Sequence, residues 1–146
     1  MPQKKFEYLP HTADIMFAAY GSGAGELIEN SAAAMLGVML DVGKIRRSSA
    51  RVMQVAIDEK ADTIENLIWY SLQDMLTKID ERALNAFEFK VKTVSEKTGA
   101  FKMRGMLRYK RMPRDCFVTE VKAVTPYAME VKKTASRYSV EVVLDV

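Results

Sequence analysis

Apolar residues along this chain switch between two spacings, and the switches mark its elements. Between Ala24 and Leu40, the apolar positions Leu27, Ile28, Ala32, Met35, Leu36 and Met39 recur at helical spacing, with Gly43 as a stop. A second helical run, Ile64, Leu67, Ile68, Leu72, Met75, Leu76 and Ile79, follows Asp62 and Thr63, either of which can cap it. Glu65 and Asp74 fall outside that apolar face. Elsewhere the pattern alternates. Phe6 to Leu9 reads as a short strand stopped by Pro10, and Ile15 to Tyr20 as a second, ended by Gly21, Gly23 and Gly25. Met53, Val55 and Ile57 mark a third.

The second half is strand-rich. Phe87, Phe89 and Val91 alternate with Glu88, Lys90 and Lys92. Phe101, Met103, Leu107 and Tyr109 alternate with Lys102, Arg104 and Arg108. The intervening Glu96-Lys97-Thr98-Gly99 predicts a turn, so the two runs form a hairpin with one wet face. Val118 to Val124, Met129 to Lys133 and Arg137 to Leu144 are expected to complete the strands. The pattern predicts an α+β fold: two helices packed on a mainly antiparallel or mixed sheet, in a single domain over residues 1–146.

Composition narrows the setting. A chain of 146 residues can bury a sizeable core. The one cysteine, Cys116, has no internal partner for a disulfide, which predicts a reducing compartment. No apolar run is long enough to span a membrane, and Met1 to Phe6 lack the apolar core of a signal peptide. The expectation is a cytoplasmic protein with no membrane partner. A net charge of +3 permits an anionic partner without arguing for one.

Candidate chemistry gathers at the two ends. The tetrad His11-Thr12-Ala13-Asp14 precedes the strand Ile15 to Tyr20, and Asp145 follows the strand ending at Leu144. In that last strand Tyr138, Val140, Val142 and Leu144 share one face, which leaves Asp145 on the other with Glu141 and Val143. Carboxylates suit a hard divalent cation because they supply both oxygens and compensating charge. On the residues alone, acids that cap turns or pair with surface lysines are the commoner outcome. His11 can be a ligand, a base or an orienting partner, against the simpler reading of a turn histidine after Pro10.

Other features carry less. Cys116 follows Arg114 and Asp115, where a cation could activate a thiol, but no second cysteine or downstream histidine accompanies it. Gly21-Ser22-Gly23-Ala24-Gly25 before a helix has the look of a phosphate loop. It lacks the following lysine, and Glu26 and Leu27 stand where a dinucleotide motif needs its last glycine. A turn and helix entry is the better reading. Lys102, Arg104 and Arg108 point to one strand face and predict a cationic stripe, ordinarily a solvated sheet face, with no aromatics interleaved for base stacking.

Several blocks in order resemble the archease family, small protein cofactors of the GTP-dependent RtcB-type RNA-splicing ligase. They are Tyr8-Leu9-Pro10-His11-Thr12-Ala13-Asp14-Ile15, then Ala19-Tyr20-Gly21 with the alanine-rich helix to Met39. Asp62 through Leu76, Glu120-Val121-Lys122-Ala123-Val124-Thr125 and Leu144-Asp145-Val146 complete the set. The resemblance spans nearly the whole chain. It departs at Pro126-Tyr127-Ala128, where the family commonly carries tyrosine, histidine and glycine-like residues, and no role is assigned there.

The resemblance implies a helper, not a stand-alone enzyme. Such a protein promotes guanylation of the ligase and sustains its turnover in tRNA splicing, with RNA met directly or only through the ligase. It implies a divalent metal ion held by Asp14, Asp145 and Val146. Calcium is favoured, and magnesium and manganese also suit oxygen ligands. Val146 closes the sequence, so its oxygen is expected to belong to an α-carboxylate. Lys122, Arg104, Arg108 and His11 become candidates for contacting the ligase or RNA. The rival readings are an RNA- or protein-binding chaperone module on the basic face with purely structural acids, and a metal-dependent hydrolase built on His11 and Asp14.

Overall fold

The first helix, α1 (Ala24–Met39), carries apolar side chains around most of its circumference, and the fold surrounds it accordingly. In the computed structural model, which describes residues 4–10, 13–112, 116–126 and 129–146, α1 lies between two antiparallel sheets. The first sheet orders β1 (Phe6–Leu9), β2 (Ile15–Gly21), β8 (Tyr138–Asp145) and β6 (Ala123–Thr125), and β7 (Val131–Lys133) also pairs with β8. The second orders β3 (Val52–Ala61), β5 (Ala100–Lys110) and β4 (Asn85–Lys97). Helix α1 packs on β1, β2 and β8 of the first sheet and on β4 of the second. Helix α3 (Ile64–Arg82) packs on α1 and β3 and reaches β6. Leu27, Ile28, Met35 and Leu36 are fully enclosed, each contributing about 1.5–3 kcal/mol relative to exposure.

The α+β expectation holds, with refinements. The strands form two sheets, and a third, short helix, α2 (Val42–Arg47), follows α1. Asp41 starts it by accepting a hydrogen bond from Lys44 N at 3.1 Å, so Gly43 lies inside a helix instead of stopping one. Thr63 caps α3, its Oγ1 accepting from Asn66 N at 3.0 Å, while Asp62 accepts from the Asn66 side chain.

The strand expected over Val118 to Val124 shrinks to Ala123–Thr125. The amides of Val118 and Thr119 both turn to Met39 O, at 2.7 and 3.4 Å, closing the end of α1 instead of joining a sheet.

The β4–β5 hairpin turns at Thr98-Gly99, with Gly99 at φ +77°. Its register slips twice, between Ala86 and Glu88 and between Val91 and Thr93. The second irregularity has a side-chain partner: Glu29 of α1 accepts a hydrogen bond from Val91 N at 2.9 Å. Close packing also explains one glycine. A Cβ on Gly105 would stand 2.4 Å from Phe89 Cζ and 2.8 Å from Lys90 O.

Candidate functional site at the β2–β8 ladder end

Strands β2 and β8 come from opposite ends of the described chain and pair directly. Their ladder runs from Gly21↔Tyr138 to Ile15↔Leu144; Asp145 is the last residue of β8, and Asp14 lies in the bend just before β2. Phe17, Ala19, Val140, Val142 and Leu144 are buried on the inner face. Alternation therefore turns Asp145 to the outer face with Met16 and Val143. Both acids are half-buried, and among the described residues neither is in an ion pair.

Strand β6 brings a third segment to this end. Ala123 pairs with Asp145, and the Lys122 amide donates to Asp145 O at 2.7 Å. Lys122 is exposed, and Val146 packs partly against the core. Asp14, Asp145, Val146 and Lys122 thus gather at one sheet end. His11 lies outside the described residues, as do Tyr127 and Ala128 of the departure from the family pattern. Among the described residues no group of three or more His, Cys, Asp or Glu side chains gathers as metal ligands. A cation here would therefore take two carboxylates and complete its shell from main-chain oxygens, water or a partner.

The basic stripe lies elsewhere, on the outer face of the second sheet. Lys102, Arg104 and Arg108 share that face as their alternation predicts. Glu88 ties down one end: Arg108 donates to it at 3.0 Å and Arg46 at 3.3 Å. Burial raises the Glu88 carboxyl, but these hydrogen bonds together with the charges of Lys90 and Arg108 outweigh it and hold the group below its ordinary range.

One expectation about this face fails. The slip between Ala86 and Glu88 takes Phe87 out of strict alternation, and its ring meets the cations of Arg46, Arg108 and Lys110 at 5.2, 5.6 and 5.5 Å. An aromatic is thus interleaved with the charges, but it is 7% exposed and offers no stacking surface.

Two weaker candidates close. The entry to α1 is a helix start, where Glu96 Oε1 accepts from Ala24 N at 3.3 Å. A carboxylate already stands where a phosphate would sit. Cys116 is 4% exposed, with its amide donating to Asn85 Oδ1 at 2.9 Å, and packs into the core instead of presenting a nucleophile.

Comparison with known proteins decides the family. The model of the Archease protein family (MTH1598/TM1083) matches residues 6–146. This chain belongs to the archease family. Protein archease of Methanosarcina barkeri is 37% identical over 150 residues, covering 98% of this chain and 97% of that one. Protein archease of Methanosarcina acetivorans is 33% identical over 145 residues, covering 98% and 97%.

The solution structure of Methanobacterium thermoautotrophicum protein 1598 superposes with a TM-score of 0.79 at 27% identity, covering 99% of this chain and all of that one. The crystal structure of a Thermotoga maritima archease, described as a possible chaperone, shares the fold at a TM-score of 0.53 and 17% identity, covering 100% and 98%. No helix among the described residues of this archease-family chain is long and apolar enough to cross a membrane.

Proposed function

We propose that this chain is a protein cofactor of a GTP-dependent RNA-splicing ligase, promoting guanylation of the ligase and repeated turnover, with a divalent cation held at the β2–β8 ladder end. One observation carries the metal half of this reading: Asp14 and Asp145 are the sequence neighbours that flank the last ladder pair, Ile15↔Leu144. Two like charges gathered at one sheet end repel, and among the described residues no cationic side chain forms an ion pair with either. A hard dication relieves that repulsion. Asp14, Asp145 and a main-chain oxygen of Val146 would hold it, calcium by preference. The bound ion supplies electrostatic attraction for anionic groups of the partner. Lys122, exposed beside Asp145, adds a cation that can meet the ligase or its nucleotide.

The test adds the purified chain to a matching RNA-splicing ligase and follows guanylated ligase and the number of ligations per ligase. Wild type should raise both. Asp14→Ala and Asp145→Ala should abolish the effect. Lys122→Ala should reduce it with metal affinity unchanged. No effect of the wild-type chain on either readout would overturn the ligase reading.

A further inference from the structure

The outer face of the β3–β5–β4 sheet lies across the helical layer from Asp14 and Asp145. Its outward side chains form rows across the strands, read from the register. The first is Lys60–Lys102–Ser95, the second Asp58–Arg104–Thr93. Ala56–Met106–Lys90 and Gln54–Arg108–Glu88 follow. Lys92 enters at the slip between Val91 and Thr93, lining a groove of about 400 Å³ with Gln54, Lys90, Met106 and Arg108.

Six cations, Lys60, Lys90, Lys92, Lys102, Arg104 and Arg108, face two carboxylates, Asp58 and Glu88, a surplus of four on a chain whose formal net charge is +3. The charge of the molecule is therefore concentrated here, and the remainder is slightly acidic. Among the described residues Lys60, Lys90, Lys92 and Lys102 are in no ion pair, and the Arg104–Asp58 pair is long, 3.7 Å, and exposed. Lys60 stands directly opposite Lys102, an arrangement that costs folding stability. An anion relieves that cost.

We infer that this face binds the phosphodiester backbone of double-helical RNA. Its lysines and arginines are spread over three strands, so they answer a surface of spaced negative charges better than a single anion. No exposed aromatic lies among these rows, and Phe87 is enclosed, which disfavours unpaired bases that need stacking platforms. Among the described residues neither a helix nor a ribbon projects from the sheet face to enter a B-form major groove, whereas the wide, shallow minor groove of A-form RNA exposes its backbone to such a surface. Recognition of this kind reads shape and charge, not sequence. It involves neither the ladder-end acids nor the ligase.

Fluorescence anisotropy of a labelled RNA duplex with the whole chain, in EDTA and without ligase, tests it. Binding should fall in the range of about 1–100 µM near physiological salt, with affinity dropping on added salt at a log–log slope of roughly −3 to −4. Lys92→Glu/Lys102→Glu should weaken binding at least tenfold and flatten the slope by about two. Lys132→Glu/Lys133→Glu on β7 should leave it unchanged. Melting curves confirm folding, and Lys92→Gln/Lys102→Gln, expected to show the same loss in weaker form, replaces a variant that does not fold.

The inference is overturned by absence of binding at low salt, by unchanged binding in the sheet variant, or by equal loss in the β7 control. A DNA duplex binding as tightly would remove the choice of RNA. Displacement by poly-glutamate at equal charge would assign the face to an acidic protein. Because metal and ligase are absent from the assay, its failure leaves the proposed function standing, and the reverse also holds.

Discussion

Glu59 on β3 and Asp74 on α3 bring two carboxyl groups together, an arrangement that favours a proton on Glu59. Asp74 also accepts from Lys78 at 2.6 Å. Burial first, then the hydrogen bond and charge of Asp74, push Glu59 up to about 7 from an ordinary 4.5. The folded chain then binds more protons than the unfolded chain between these values. This contribution to stability is full below pH 4.5 and lost as pH rises through 7. Glu59→Gln keeps the shape of the side chain and removes its titration. Denaturant unfolding should show the variant gaining on wild type from pH 4.5 to 7, by about 1 kcal/mol once partial exposure is discounted. A difference that does not change with pH would show that Glu59 titrates normally.

Lys110 should be the most sensitive charged residue outside the candidate sites. It is 7% exposed, and its ammonium donates to Ile45 O, Arg46 O and Ser48 O at 2.9, 3.2 and 2.7 Å, closing the end of α2. Lys110→Met keeps the stem and leaves those carbonyls unanswered. The expected loss is about 2–4 kcal/mol in urea unfolding. A loss under 0.5 kcal/mol would mean that water replaces the ammonium without penalty.

Gly105→Ala tests the packing of the second sheet. The added methyl would collide with the Phe89 ring and with Lys90 O, which belongs to the backbone and cannot swing away. About 1–3 kcal/mol should be lost. Pairing the change with Phe89→Leu should recover part of it. Additive losses in the double variant would place the strain elsewhere.

For the ladder end, Asp14→Ala and Asp145→Ala should each weaken calcium binding at least tenfold by isothermal titration. In EDTA both variants should melt at or slightly above wild type, since removing one of two adjacent like charges relieves repulsion. Lower melting in EDTA would indicate that the acids are structural.

The two main helices, the hairpin and the α+β class were readable because each rests on local periodicity, as in Leu67 to Ile79 or Phe101 to Tyr109. The split into two sheets was not. It depends on α1 being enclosed from both sides, and the apolar spacing read for α1 described one face. Phe87 was misplaced because a register slip leaves no mark on a residue flanked by ordinary alternation. Glu29, which the helix reading passed over, and Glu96, read as part of the hairpin turn but lying in β4, bind the Val91 amide of β4 and the start of α1. At the candidate site the face of Asp145 followed from alternation. Its position beside Asp14 did not, because pairing between distant strands has no local signal.

That pairing has a consequence for how the molecule comes into being. During synthesis β2 emerges early and β8 after the other described strands, so the first sheet cannot close its centre until β8 has emerged. Contacts so far apart along the chain are slow to form, because the loop between them must be closed before any pairing energy is gained. Until then β2 has only β1 beside it, and its other edge is open to a neighbouring nascent chain. Cation binding at the ladder end would therefore report that β8 has paired with β2, and a chain cut short before β8 would carry Asp14 without Asp145.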